Sequence, residues 1–108
     1  MATVRIDGAE ITDSASFHSV CRLAFGFPDY YGCNMDAWVD CLSYLRDDDN
    51  MSAFHLDDDE VLRIELAHAD QMRKNAPNVY DEMMFCIEGI NERYADYGEV
   101  AALELVLA

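Results

Sequence analysis

Two carboxylates four residues apart, Asp36 and Asp40, are the side chains whose type and spacing best suit a chemical role. In a helix, residues at this spacing share one face, and two like charges there cost about 0.2–0.5 kcal/mol of helix stability. Asp36 recovers part of that cost near the positive end of the helix dipole, whereas Asp40 lies a turn further in. The pair predicts a rigid acidic binding surface, for which the simpler alternative is an ordinary solvated helix face.

The residues around this pair predict how it is held. Asn34 is a suitable N-cap, because its side-chain oxygen can accept a backbone N–H that the first helical turn leaves unpaired. A stripe at three- and four-residue intervals then faces a core, and a bend before the cap can hold aromatic side chains beside the carboxylates. The stripe is Met35, Trp38, Leu42 and Leu45, and the bend contains Pro28, Tyr30, Tyr31 and Gly32.

The rest of the chain predicts strands separated by helices. Alternation favours strands near 3–6 and 61–66, and a run rich in Leu and Val favours a third strand over 102–107. Helical periodicity favours helices from Ser14 to Gly26, from Met35 to Leu45 and from Pro77 onward, and residues 68–75 are expected to form a short helix or a helical turn. Parallel strands need such crossover connections. We therefore predict an α/β fold, with a small three-stranded parallel sheet and about four packed helices.

Composition limits the class of protein. The 108 residues suffice for one domain, spanning 1–108, with a modest core. Seven basic residues against 22 acidic ones give a net charge of −15, so a direct nucleic-acid ligand is excluded and a basic protein is favoured as the partner. We find no signal peptide and no apolar run of membrane length.

The four cysteines indicate a reducing compartment. They are Cys21, Cys33, Cys41 and Cys86, they show no CxxC spacing, and three of them lie in apolar helical patterns. A cytoplasmic location follows. Cys33 precedes the helix cap and is a candidate for an exposed thiol, although no neighbouring base in the sequence would activate it.

An acidic connector around residues 46–60 has the most unusual composition. It contains Asp47-Asp48-Asp49 and Asp57-Asp58-Asp59-Glu60. Calcium binding is one interpretation, but the alternating ligands, central glycine and final glutamate of a calcium loop are absent. A solvated connector or a second acidic contact surface are the alternatives.

Nothing in the sequence indicates a catalytic centre. The three histidines are scattered, and no nucleophile with a base, metal-ligand spacing or phosphate-binding glycine loop is present. His18 lacks a second histidine at ligand spacing and is predicted to lie at the surface or its boundary. We expect no enzyme activity, no cofactor and no metal.

The run from Phe27 to Leu42, Phe-Pro-x-Tyr-Tyr-Gly-x-Asn-x-Asp-Ala-x-x-Asp-Cys-Leu, resembles the signature of the barstar family, intracellular inhibitors of secreted bacterial ribonucleases. The similarity extends upstream through Ile6-Asp7-Gly8, Ile11 and Phe17-His18. It implies the element order β-α-α-β-α-α-β, with the acidic connector as an insertion. It also implies an immunity protein or antitoxin that blocks a basic ribonuclease toxin by placing carboxylates where the active site binds phosphates.

The resemblance also implies which residues contact the partner. The central anchor is expected at Asp40, and Val39 stands where the family often has tryptophan. This departure reduces the aromatic area and puts binding to the family's best-known ribonuclease in doubt. The family's acidic pair near the end of its last helix is placed at Glu92 and Asp96. The expected contacts are Tyr30, Gly32, Asn34, Asp36, Val39, Asp40, Glu92 and Asp96.

Two alternatives to ribonuclease inhibition remain open. The same scaffold could inhibit another basic nuclease toxin, such as a deoxyribonuclease, through the connector or the last helix. A non-inhibitory acidic binding module is the other alternative. We expect a monomer, or a 1:1 complex with the toxin.

Overall fold

Three parallel strands and four α-helices make up the computed structural model, which describes residues 2–28, 31–43, 45–46, 55–57 and 60–107. The strands Ala2–Asp7 (β1), Leu62–Ala67 (β2) and Leu103–Leu107 (β3) lie in the order β1-β2-β3, so β2 is the central strand. This architecture confirms the predicted α/β fold. In chain order the elements are β1 (Ala2–Asp7), a 3-10 turn (Gly8–Glu10), α1 (Ser14–Phe25), α2 (Met35–Ser43), β2 (Leu62–Ala67), α3 (Ala69–Asn75), α4 (Pro77–Asp96) and β3 (Leu103–Leu107).

The register of the sheet follows from the alternation of apolar side chains. Val4 of β1 pairs with Ile64 of β2, which pairs with Leu105 of β3. Val4 and Ile64 are buried, as are their neighbours two positions on, Ile6 and Leu66. One face of the sheet therefore contributes directly to the core.

The start of α1 differs by one residue from the expectation. We predicted Ser14 as the cap, but Asp13 is the N-cap, and its carboxylate accepts a hydrogen bond from Ser16 N–H at 2.8 Å. Ser16 Oγ in turn accepts from Asp13 N–H at 3.0 Å. This reciprocal pair satisfies two donors, whereas Ser14 is the first helical residue. Gly26 ends the helix in the left-handed conformation, with φ of 67°, as predicted.

The end of α2 also differs from the prediction. The helix ends at Ser43, and Leu45, although buried as expected, lies beyond it. The Leu45 N–H donates to Tyr94 Oη at 3.1 Å, and its carbonyl accepts from Leu56 N–H at 2.7 Å. These long-range hydrogen bonds take the place of helical ones.

Part of the acidic connector is built into the core. Leu56 is only 1% exposed, so at this residue the connector packs into the core and is not solvated. Residues 47–54 and 58–59, which carry most of the aspartates, lie outside the described residues. The connector's ends are held by Arg46, whose guanidinium donates to the carbonyl oxygens of Glu60 and Val100 at 2.9 and 2.8 Å.

Candidate functional site

The acidic face of α2 is exposed to solvent. Asp36 and Asp40 are both exposed, and the Asp40 side chain retains 58% of its accessible surface. Asn34 caps the helix as predicted, because its Oδ1 accepts from Ala37 N–H at 2.8 Å. On the opposite side of the helix, Trp38 and Leu42 are fully buried. The carboxylates are therefore carried by a helix that the core holds in place.

A chain of aromatic contacts fixes the loop before α2. Trp38 lies against Phe17 and Phe25, with ring centroids 5.7 and 6.3 Å apart. Phe25 stacks on Phe27 at 5.3 Å, and Phe27 contacts Tyr31 at 4.6 Å. The loop thus enters the helix over packed rings, with Gly32, Cys33 and Asn34 exposed beyond them. Tyr30, an expected contact, lies outside the described residues.

His18 occupies a different environment from the predicted one. It is 1% exposed, and its Nδ1 lies 2.6 Å from Tyr31 Oη in a buried hydrogen bond whose donor depends on the tautomer. Burial lowers the His18 pKa below its usual value, against an opposing effect of Glu82, and burial raises the pKa of Tyr31. The missed signal was its spacing, since His18 shares a helix face with Cys21 and Phe25.

The thiols of the core are unsuited to nucleophilic chemistry. Burial raises the pKa of the Cys21 thiol to about 12 and also raises that of Cys41. Cys33 is exposed, as its position suggested, and its Sγ lies 3.7 Å from the Tyr31 carbonyl oxygen.

A groove separates α2 from α4. Val39 is half-buried and lines this groove. Arg93 reaches across from α4 and places Nη1 3.9 Å from Asp40 Oδ1 and 3.2 Å from Ser43 Oγ. The ion pair is half-exposed, so it contributes about 0–1 kcal/mol. The residues lining this α2–α4 groove are Asp36, Val39, Asp40, Phe85, Cys86, Gly89 and Arg93.

The last helix presents a cation to the acidic face. The two carboxylates that the family resemblance places on this helix lie nearby. Glu92 is exposed and does not line the α2–α4 groove, and Asp96 lines a neighbouring depression with Tyr97 and Glu99. The position of Arg93 at the groove was not predicted, although the predicted buried stripe of α4 could have indicated it. The groove residues Cys86, Gly89 and Arg93 each come directly before one of the buried residues Ile87, Ile90 and Tyr94.

The described residues contain no group of three histidine, cysteine or acidic side chains that could hold a metal ion. They also contain no helix with both the length and the apolar character that a membrane span requires.

Comparison with protein families gives one match to the chain. The family described as Barstar (barnase inhibitor) matches residues 1–106, nearly the whole length. A comparison with curated proteins finds no significant match.

Proposed function

The chain belongs to the barstar family, and from that premise we propose that it is an inhibitor that inserts the acidic face of α2 into the active site of a basic ribonuclease toxin. In this proposal it acts as an immunity protein in the cytoplasm and forms a 1:1 complex. The family's described target, barnase, supports a ribonuclease as the partner class.

Phosphate mimicry is the physical basis of the proposal. A ribonuclease binds its substrate through cationic side chains that contact phosphates and stabilise developing charge. Exposed carboxylates can take the place of those phosphates without offering a bond to cleave. Asp40 is the proposed central anchor, and Asp36 is the second phosphate mimic.

The observation that carries the proposal is the combination of exposure and rigidity at α2. Asp36 and Asp40 are exposed, while Trp38 between them is fully buried among aromatic rings. A partner therefore meets carboxylates whose backbone is already fixed, which lowers the entropy cost of binding.

The remaining proposed contacts surround this pair. Gly32 and Asn34 belong to the exposed loop at the start of α2, and Val39 lines the groove. Tyr30, Glu92 and Asp96 complete the set that we carry over from the family pattern.

Charge reversal at Asp40 tests the proposal. Ribonuclease activity of barnase is titrated with the chain, with Asp40→Lys and with Asp70→Lys, an equal change of charge on α3. Proteins that the chain retains from cells encoding it are assayed in the same way. For each ribonuclease that the chain inhibits, we expect Asp70→Lys to inhibit equally, and Asp40→Lys to lose at least a hundredfold in affinity while it keeps its circular dichroism spectrum.

Two outcomes would change this assignment. Equal inhibition by Asp40→Lys would remove the α2 face as the site. Inhibition of a deoxyribonuclease and of no ribonuclease would keep phosphate mimicry but assign a different partner.

A further inference from the structure

Three of the four α4 residues that line the groove, Phe85, Gly89 and Arg93, are spaced four apart along the helix. We infer that this α4 strip is a second contact surface and that Arg93 determines specificity: the ribonuclease must place a carboxylate opposite it. The inference rests on the proposed function and adds the chemistry that the partner needs beside its basic cleft.

Gly89 lies in the interior of α4 without a packing reason in the described residues. A Cβ built on it would meet no atom within 4 Å, and its backbone is helical. Glycine weakens a helix interior relative to alanine. Gly89 therefore lowers helix stability without relieving a close contact within the described fold. Its missing side chain leaves room for the surface of a partner to approach α4.

Phe85 lies one turn before Gly89 and is 76% exposed. Large aromatic side chains are preferred anchors at the centres of interfaces, because they bury much area with few rotatable bonds. With Gly89 beside it, Phe85 can be covered by an apolar group of the partner.

Arg93 is held in place by a short relay of hydrogen bonds. Ser43 Oγ donates to the Val39 carbonyl oxygen at 2.6 Å, so its remaining lone pairs are available to accept from Arg93 Nη1 at 3.2 Å. The guanidinium therefore lies over the end of α2, 3.9 Å from the carboxylate of Asp40.

Closure of a partner over this face removes the water that screens Arg93. A cation that pairs with Asp40 then lies close to the guanidinium, and like charges in a desolvated interface are strongly unfavourable. A carboxylate on the partner offsets both the lost water and the repulsion from the partner's cation, because it can accept two hydrogen bonds from the guanidinium and neutralise its charge. A cleft with cations alone would be rejected.

A display library of barnase tests this chemistry. Each position on the rim of the active-site cleft is varied in turn to glutamate, alanine and lysine, and the library is selected for binding to the chain, Arg93→Glu and Lys74→Glu. Lys74 is exposed on α3, so its reversal matches the change of net charge. We expect the chain and Lys74→Glu to enrich variants with glutamate at one patch, and Arg93→Glu to enrich lysine at that patch.

A second variant separates binding from folding at the strip. Gly89→Gln is expected to raise the thermal midpoint by a few degrees, because glutamine favours a helix and meets open space. It should also lower the affinity for the enriched barnase variant at least tenfold. A merely structural role for Gly89 would not move stability and affinity in opposite directions.

The outcomes distinguish this inference from the proposed function. If Arg93→Glu enriches the same variants as the chain, or if Gly89→Gln binds unchanged while Asp40→Lys does not, the α4 strip is overturned and inhibition through α2 stands. If neither a library member nor any ribonuclease that the chain retains from cells binds it, the proposed function fails and the inference fails with it.

Discussion

The buried side chain of His18 supports the loop before α2, although it is not itself part of the acidic face. It is buried, and its hydrogen bond to Tyr31 joins α1 to the loop that leads into α2. Burial lowers its pKa, so the folded protein favours the neutral imidazole. Protonation would place a charge in the core behind the loop.

We therefore expect the free energy of unfolding to decrease as the pH falls below about 6.5. The unfolded chain binds the proton more readily than the folded one, so this contribution is complete above the unfolded pKa and is lost below it. Urea unfolding of the chain, His18→Gln and His55→Gln between pH 5 and 8 measures the effect. His18→Gln should have lower stability and a flatter pH profile, whereas an equally steep profile would show that His18 is not the responsible group.

The sequence predicted some single residues and missed others for a physical reason. The Asn34 cap and the exposure of Asp36 and Asp40 depend on local helix geometry, which residue type and spacing report. The burial of His18 and the position of Arg93 depend on how helices pack against each other. The spacing of residues in the sequence predicts which of them share a helix face, but it does not predict which element packs against that face.

At the scale of elements, α2 is a nine-residue helix, too short to be stable in isolation. It depends on its cap, on the burial of Trp38 and Leu42, and on hydrogen bonds from Tyr94 Oη to the Leu42 carbonyl oxygen at 3.2 Å. Any change that loosens this helix therefore affects the proposed site as well as the fold.

Asn34→Ala is expected to lower the free energy of unfolding by about 0.5–2 kcal/mol, because the first turn loses its side-chain acceptor. It should also weaken inhibition of the ribonuclease, since α2 frays where Asp36 is attached. Asn34→Asp keeps the acceptor and serves as the matched control in thermal unfolding and in inhibition assays. Equal losses in both variants would assign the effect to the amide itself.

Arg46 joins the elements that surround the end of α2. Its side chain is 3% exposed, it contacts the face of Tyr94 at 5.1 Å, and it donates to backbone carbonyls of residues 60 and 100. Arg46→Met keeps much of the apolar stem but leaves these acceptors without the guanidinium. We expect a loss of about 1.5–3 kcal/mol in urea unfolding, whereas Lys74→Met at an exposed site should change little.

The order of the elements was predictable, but their ends were not. Periods of two and of 3.6 residues indicated β1, β2, α1, α2 and α4, whereas β3 was indicated by its Leu and Val content and α3 only as a short helix or helical turn. The cap of α1 moved from Ser14 to Asp13 because Asp13 and Ser16 bond reciprocally. α2 ended before Leu45 because that residue bonds to Tyr94 and Leu56, which are distant in sequence.

At the scale of the whole molecule, the net charge of −15 produces a field beyond any single contact. Such a field attracts a basic partner before the surfaces meet and is screened by salt over about 10 Å at 0.1 M ionic strength. It does not by itself decide which basic protein binds, because in our proposal that choice depends on the groove and its single described cation, Arg93.

Association with a ribonuclease should slow on the order of tenfold or more when salt rises from about 20 mM to about 500 mM. The dissociation rate should change much less, because it depends on contacts already desolvated. Stopped-flow mixing with barnase measures both rates. An association rate that is insensitive to salt would show that long-range attraction plays no part in the encounter.

The position of β2 between the other strands has a consequence for synthesis on the ribosome. Val4 pairs with Ile64, sixty positions later, and β3 pairs only with β2 in the described sheet. A nascent chain that ends before β2 therefore has no strand for β1 to join, and long-range pairing of this kind slows folding. Translation that stops before residue 62 therefore leaves β1 without its partner strand in the described sheet, so the proposed inhibition requires a chain whose middle strand has emerged.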